Sequence, residues 1–311
     1  MDFGKLSSLD NIDLSLPPDH ADTARVLQSA TRQTPKIFIG APIWADKGFV
    51  GKLYPKGTKE TDFLSEYGKQ FNAIELNATH YRIPSLTQIA RWKEDVPIDF
   101  KFFPKIPQVI SHAANINSKE DVLRLFNSVV LNFKDNLGAV FLQLPPYFKP
   151  NRFSELENFV AAFPKEISLF VELRNEAWFQ NARLTTEVFN MLESYDTGSV
   201  ITDVAGRRDV LHNRLTVPKA FIRFTGNDLH PTDFKRLDEW VARIHQWLQL
   251  GLHELYFFVH TPEKHFTAEM ADYFVEQLNM QLAAPLPRIK FFNQETASEK
   301  SSKFMHNTLF D

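Results

Sequence analysis

Eight short apolar runs recur along the chain, and most are separated by enough residues to form a helix. They are KIFIG (36–40), AIELN (73–77), FKFFP (100–104), GAVFLQL (138–144), SLFVEL (168–173), SVITD (199–203), AFIRF (220–224) and ELYFFVH (254–260). Apolar runs of roughly four to eight residues are typical of strands buried on both faces, as in a parallel sheet. The repetition limits the chain to folds that alternate buried strands with helices.

The segments between the runs carry helical signals. Residues 118–132 show apolar residues at helical spacing, and residues 232–250 form a longer helical pattern that ends at Gly251. Ser118 with Asp121 forms a capping-box pattern at the first of these segments, and Ser154 with Glu157 forms another further on. These patterns predict crossover helices between the strands.

Eight strand–helix units over about 250 residues predict an α/β fold, a (β/α)8 TIM-like barrel. A doubly wound open sheet is the alternative. The chain contains no GxGxxG or GxxxxGK[ST] sequence, so nothing indicates a dinucleotide or P-loop site. We expect a barrel domain at residues 36–282, a polar N-terminal arm at 1–35 and a C-terminal extension at 283–311.

Composition narrows the function classes. The chain has 311 residues, a formal net charge of -3 and no cysteine, which excludes disulfides, thiolate metal sites and cysteine nucleophiles. Its acidic balance disfavours nucleic acid as a partner without excluding it. The N-terminus lacks a signal-peptide pattern, and no apolar run approaches the ~20 residues of a membrane span. We therefore expect a cytoplasmic protein that does not act at a membrane.

Polar or ionisable side chains occur near the carboxyl end of nearly every predicted strand. In a TIM-like barrel these ends meet at one mouth, which holds the active site, and residues two apart on a strand share a face. We predict a polar pocket there, because charges are costly to bury unless they are paired or hydrated. The predicted catalytic residues are Glu75, Glu172, Lys101 and Asp203. The predicted substrate-binding residues are Asn77, Tyr81, Lys105, Gln143, Arg174, Arg223 and His260.

Structural roles are the alternative for several of these residues. Glu172 and Arg174 would then form an ion pair that closes the top of the barrel. Lys101 would point outward along a helix, Asp203 would cap a turn, and Gln143 would bind backbone groups. The sequence leaves these alternatives open.

Four motifs resemble those of the YecE-like proteins, a family built on a domain of unknown function. They are FNAIELNATHYRIP (71–84), FKFFPKIPQVISH (100–112), LGAVFLQLPPYF (137–148) and VELRNEAWF (171–179), and they occur in the family's order. The resemblance covers roughly residues 36–280. It implies a TIM-barrel-like fold but supplies no reaction.

The chain departs from the family pattern near several strand ends. Pro42 opens Pro-Ile-Trp where the family has Ser-Gly-Trp, and His80 stands where a phenylalanine precedes the tyrosine. Thr225 replaces the histidine of R-x-H-G, and His260 ends the eighth strand where the family has an asparagine pair. These departures imply a divergent subfamily, with an altered ligand or a lost activity.

Three functions are consistent with the predicted site. The first is an enzyme acting on a small anionic or sugar-like metabolite, with Lys105, Arg174 and Arg223 binding a phosphate or carboxylate. In it, Glu75 or Glu172 would be the general base. The protein would therefore have a small anionic ligand as its partner.

The other two functions use the same end of the barrel. A divalent-metal-dependent hydrolase or isomerase would draw on Glu75, Glu172, Asp203 and His260, although no HxH or HExxH spacing supports a metal site. A non-catalytic protein would bind a nucleotide or a nucleic-acid fragment. The sequence identifies no cofactor and no oligomeric state.

Overall fold

All eight predicted strands are present in the structure, a computed structural model that describes residues 4, 6 and 8–292. They are β1 Lys36–Ala41, β2 Ala73–Leu76, β3 Lys101–Pro104, β4 Val140–Gln143, β5 Leu169–Glu172, β6 Gly198–Asp203, β7 Lys219–Thr225 and β8 Glu254–His260. Each predicted run therefore forms a strand, and only the ends shift.

The strands form one parallel sheet in the order β3-β2-β1-β8-β7-β6-β5-β4. Its two edges, β3 and β4, meet through parallel bridges that pair Phe102 with Leu137 and Lys105 with Phe141. The Ile106 amide also donates to the Phe141 carbonyl at 2.9 Å. The predicted TIM-like fold is confirmed as a nearly closed barrel.

The described residues form ten α-helices, most of them between strands. They are α1 Ala21–Gln28, α2 Phe63–Gly68, α3 Ala78–Tyr81, α4 Leu86–Glu94, α5 Gln108–Ser111, α6 Glu120–Val130, α7 Phe153–Ala162, α8 Ala182–Ser194, α9 Pro231–Leu250 and α10 Thr267–Asn279. The long predicted helix is confirmed as α9, which ends at Gly251 with a φ of 120°.

Both capping-box predictions are wrong. Ser118 lies in a 3-10 turn that precedes α6, and its hydroxyl donates to the Asn115 carbonyl at 2.7 Å. Ser154 lies inside α7, which begins directly after another 3-10 turn. In each case the short turn starts the helical segment earlier than the cap pattern indicates.

Aromatic rings fill the interior of the barrel. The interior cluster contains buried Phe38, Phe103, Phe141, Phe170, Phe221, Tyr256 and Phe258. The rings of Phe103 and Tyr256 pack with their centroids 4.6 Å apart. Ile37 and Ile39, on either side of Phe38, belong instead to the core shared with the helices. An aromatic layer therefore separates the two ends of the barrel.

The segment before β1 packs on α9. Asp19 accepts a hydrogen bond from Trp247 Nε1 at 2.9 Å and pairs with Arg243. The Leu16 amide donates to Glu239 at 2.8 Å. The predicted C-terminal extension lies mostly outside the described residues, which end at 292. Within the part of the chain that is described, no helix has the length and apolar character needed to cross a membrane.

Candidate functional site

A layer of polar side chains lies directly above the aromatic layer, at the carboxyl ends of the strands. Each polar residue follows an interior residue by two positions: Glu75 after Ala73, Lys105 after Phe103, Gln143 after Phe141, Glu172 after Phe170, Arg223 after Phe221 and His260 after Phe258. Since alternate residues of a strand share a face, these side chains point to the barrel axis. Strand periodicity thus brings together six residues predicted from the sequence.

Arg223 lies at the centre of this layer. Its Nε and Nη2 donate to the two carboxylate oxygens of Glu75 at 2.8 and 2.9 Å. Its Nη1 donates to Oε2 and Oε1 of Glu172 at 3.0 and 3.2 Å. The guanidinium also lies 5.8 Å from the centroid of the Phe141 ring below it. One cation therefore joins β2, β5 and β7 across the mouth.

Other side chains complete the shell around Glu75. Asn77 Nδ2 donates to Oε1 at 2.8 Å, and His260 Nε2 lies 3.0 Å from Oε2. With the two bonds from Arg223, each carboxylate oxygen has two partners. Glu75 has no exposed surface. It is a fully bonded group beneath the mouth.

Glu172 is held in a similar way and is linked to a lysine. Arg174 Nε donates to its Oε1 at 2.5 Å, and Gln143 Nε2 donates to its Oε2 at 2.8 Å. The other end of the same amide, Gln143 Oε1, accepts from Lys105 Nζ at 2.7 Å. The carboxylate and the ammonium together fix the orientation of the Gln143 amide.

Both carboxyl groups have lowered pKa values. Burial alone would raise the pKa of Glu75, but Arg223 and His260 outweigh burial and hold that pKa well below its usual range. Burial acts in the same direction on Glu172, and Arg174 and Arg223 reverse it, lowering the pKa of Glu172 to about 2. Carboxylates this acidic are weak general bases near neutral pH.

Unlike the two carboxyl groups, Lys105 has a pKa close to neutral pH. The pKa of Lys105 is lowered to about 8, chiefly by burial and also by Arg223 and Arg174, while Glu75 and Glu172 act against the shift. The value lies close to neutral pH, where a group can both give and accept a proton. Its pKa therefore suits Lys105 to proton transfer near neutral pH.

A cleft of about 620 Å³ opens above the polar layer. This volume lies within the range of roughly 300–1,000 Å³ that is typical of small-molecule sites. Its lining includes Lys105, Arg174, Arg223, Gln143 and His260, and no Asp or Glu of the described chain contributes to it. The two carboxylates therefore lie under the floor, and the three cations face the ligand space.

Lys101 does not reach this cleft. It lies four residues before Lys105 and on the same face, but it begins β3 rather than following its end. It lines a separate cavity with Lys36 and Glu254, at the amino ends of the strands. The prediction that Lys101 belongs to the mouth is wrong, because Phe103 and the aromatic layer lie between the two lysines.

Asp203 also faces away from the mouth. Thr202 lines the cleft, and its neighbour Asp203 must point to the other side of β6. There Arg236 donates to the carboxylate at 2.6 Å, Trp240 Nε1 donates at 2.8 Å, and Arg208 forms an ion pair. Burial acts to raise the pKa of Asp203, but Arg236 and Arg208 keep it below its usual value. The predicted position is wrong: Asp203 joins β6 to α9.

Tyr81 lies at the rim, beside His80 of the same short helix α3 and near His112, which follows α5. Tyr81 is 79% exposed, and its ring centroid is 5.2 Å from that of His80. His80 Nδ1 lies 2.8 Å from the Ile106 carbonyl, so Nδ1 carries the proton. Burial, reinforced by Lys105, lowers the pKa of His80 to about 4. His80 and His112 line the cleft but are not among the site residues predicted from sequence; their position just after strand ends is the signal that points to them.

The site offers poor support for a metal ion. No group of three or more His, Asp or Glu side chains in the described residues is arranged to hold one. Glu75 and Glu172 do converge, but the Arg223 guanidinium lies between them and binds both. Asp203, the third carboxylate considered for a metal, lies behind the barrel wall.

A parallel barrel with a polar cluster at the carboxyl ends of its strands belongs to the class of TIM-like barrel proteins. A family model described as "Protein of unknown function DUF72" matches residues 38–291, and the chain belongs to this family. The resemblance inferred from the four motifs is therefore confirmed.

Curated relatives agree with this assignment. The UPF0759 protein YecE of Escherichia coli is 29% identical over an alignment of 246 positions, and the match covers 73% of this chain and 87% of the relative. The UPF0759 protein YunF of Bacillus subtilis is 27% identical over an alignment of 156 positions, and the match covers 46% of this chain and 52% of the relative. The crystal structure of a DUF72 family protein from Enterococcus faecalis superposes with a TM-score of 0.65 at 18% identity, covering 79% of this chain and 98% of that one. The structural likeness shows the fold alone.

Proposed function

We propose that the protein is an enzyme acting on a small metabolite that carries a phosphate or carboxylate group, bound in the cleft at the carboxyl end of the barrel. One observation carries this proposal. Lys105, Arg174 and Arg223 all line the cleft, and no carboxylate of the described residues lines it with them.

The charge balance favours an anion. Among the described residues, the polar layer contains three cationic side chains and two buried carboxylates, so these side chains together favour an anion in a partly desolvated site. Attraction to an anion is stronger there than in bulk water, because the local dielectric constant is lower. Arginine is also suited to bidentate contact with phosphate and carboxylate oxygens.

The carboxylates prepare the site for binding. Glu75 and Glu172 hold the Arg223 guanidinium with four hydrogen bonds, and Arg174 is held by Glu172. Cations fixed before the ligand arrives lose little freedom on binding. We therefore propose a positioning role for Glu75 and Glu172, in place of the general-base role expected from sequence.

Lys105 is the proposed proton-transfer residue. Its amino group lines the cleft, is bonded to a neutral amide oxygen and has a pKa of about 8. A neutral Lys105 would accept a proton from the substrate, and its ammonium would return one. The neighbouring His80 has a proton on Nδ1, which leaves Nε2 as an acceptor.

The binding part of the proposal is tested with two matched lysine variants. Lys105→Met removes the cation at the mouth, whereas Lys101→Met removes one from the other end of the same face of β3. Calorimetric titration with inorganic phosphate should show at least about tenfold weaker binding for Lys105→Met. Lys101→Met should bind like the unaltered protein. Equal affinity of all three proteins, or no binding by any, would contradict the proposal.

The catalytic part needs a search for turnover. A mixture of phosphorylated and carboxylated metabolites is incubated with the protein and followed by mass spectrometry. We expect at least one anionic metabolite to be consumed by the unaltered protein and by Lys101→Met, but not by Lys105→Met. If a well-bound anion is left unchanged, the protein binds anions without catalysis, and the enzyme proposal fails while the binding proposal stands.

A further inference from the structure

Aromatic rings gather on one side of the mouth. Tyr81 follows β2, His112 follows β3 and Tyr147 follows β4, so three consecutive strand-end loops each supply one ring. The His112 ring centroid lies 5.5 Å from His80 and 6.2 Å from Tyr147. We call Tyr81, His112 and Tyr147 the aromatic rim.

Two of these rings are exposed although hydrogen bonds hold the segments that carry them. Tyr81 is 79% exposed and Tyr147 is 56% exposed. The Tyr147 hydroxyl donates to the His112 carbonyl at 3.2 Å. Next to Tyr81, Thr79 Oγ1 lies 2.8 Å from the carbonyl oxygens of both Leu76 and Lys105. Tyr81 and His112 line the cleft, and Tyr147 lies beyond its lining, against His112. Large uncovered rings beside a cleft are typical of ligand-stacking surfaces.

The cleft continues past this rim. An adjoining groove of about 690 Å³ shares His80, Tyr81, Gln108 and His112 with the cleft, and extends to Lys119. We call Lys105, Arg174 and Arg223 the cationic floor of the cleft. A ligand whose anionic group binds this floor therefore has space to extend over the rim. The opposite wall carries small or polar groups, including Thr225, Gly226, Asn227 and Thr261.

We infer that the aromatic rim is a second subsite that stacks a planar aromatic ring, so that the ligand is a ring joined to an anionic group, as in a nucleoside monophosphate. This inference rests on the proposed function, since the cationic floor must bind the anionic group. The formal net charge of -3 favours a single small ligand over a long polyanion. Stacking is tolerant of ring identity because every base has a π-face.

Three ligands separate the two subsites. Calorimetry compares inorganic phosphate, ribose 5-phosphate and uridine 5′-monophosphate, which add first a sugar and then a ring. The nucleotide should bind about tenfold more tightly than ribose 5-phosphate, the gain expected from one stacked base. In the double variant Tyr81→Ala, Tyr147→Ala this ratio should fall towards one. Ile98→Ala, at an 89% exposed position before β3, is the control that should keep the ratio.

The outcomes distinguish the inference from the proposed function. If all three ligands bind the unaltered protein equally, or if the double variant keeps the nucleotide advantage, the ring subsite is refuted while the anion site remains. If none of the ligands binds, the proposed function fails first and the inference with it.

Discussion

Arg223 holds apart two buried carboxylates that point at the same region of the barrel mouth. Glu75 and Glu172 have no exposed surface, and Arg223 is 7% exposed. An unpaired carboxylate is far costlier to bury than a paired one. The effect of single substitutions in this layer should therefore depend on which charge is left without its partner.

Arg223→Met should destabilise the fold strongly. The change leaves two buried carboxylates without their shared cation, and breaking a buried pair costs about 3–5 kcal/mol of the free energy of unfolding. Urea denaturation at neutral pH measures the loss. Arg183→Met is the control, because the Arg183–Glu187 pair is exposed on the surface of α8 and should contribute little. Similar stability of the two variants would contradict the account of Arg223.

Glu172→Gln tests the pH dependence of stability. The pKa of Glu172 is lowered from 4.5 to about 2 in the folded protein, so its ionisation stabilises the fold above the unfolded value and less so as the pH falls towards the folded one. The stability advantage of the unaltered protein over the variant should therefore be complete above about pH 5 and shrink towards about pH 2. Urea denaturation across this range measures it. A difference independent of pH would contradict the assigned ionisation.

At the scale of strands and helices, the repeated apolar runs predicted the structure better than the short capping-box motifs did. All eight strands follow from apolar runs because they are buried on both faces. Because both faces are buried, the sequence pattern does not show which face of a strand points to the barrel axis. In SVITD (199–203) each face combines one apolar residue with one or two polar ones, so the sequence does not tell whether Thr202 or Asp203 points to the axis. His80, in the short helix α3, and His112, just after α5, escaped prediction because the segments that follow strand ends lack the strand period that indicates where a side chain points.

Gly198→Ala should disturb the barrel interior. An added Cβ at this position in β6 would lie 2.2 Å from the Phe170 ring, which must then shift within the aromatic layer. Overpacking of this kind costs typically about 1–3 kcal/mol of the free energy of unfolding. Gly48→Ala is a control outside the barrel, where the nearest atom is the end of the Asp46 side chain. Thermal or urea denaturation should rank Gly198→Ala as the less stable; the reverse order would contradict the interior packing.

Asp203→Asn should lower stability without changing the anion site. The substitution removes the charge that pairs with Arg208 and with Arg236, which is 1% exposed. The free energy of unfolding should fall by about 3 kcal/mol or more, as for other broken buried pairs. The affinity for inorganic phosphate, measured on the folded variant, should stay the same. A large loss of phosphate affinity with unchanged stability would instead place Asp203 in the site.

For the whole molecule, the aromatic layer divides the barrel into two polar ends with different properties. Lys101 and Lys105 share one face of β3, but only Lys105 lies at the end where the loops form the larger cleft. The predicted run FKFFP (100–104) already has Lys101 near its start and Lys105 just past its end, so the run bounds could have separated the two lysines. The two residues share a face because they lie four positions apart, but only the residue at the carboxyl end of the strand reaches the mouth.

Anion binding should weaken as the pH rises through the pKa of Lys105, about 8. Above this value the amine loses its charge, and the floor loses one of its three cations. Sulfate is a suitable probe because its own charge does not change near neutral pH. Calorimetric titration between about pH 7 and 9 should show falling affinity in the unaltered protein and a flatter profile in Lys105→Met. Identical profiles would contradict a titrating Lys105.

The most direct test of the cationic cleft is a crystal of the protein soaked with tungstate, a heavy tetrahedral dianion whose anomalous signal locates it without ambiguity. The account predicts an anion in the cleft, within hydrogen-bond distance of Lys105 and of Arg174 or Arg223. A cleft that stays empty while tungstate binds elsewhere, for instance beside Lys101, would contradict it.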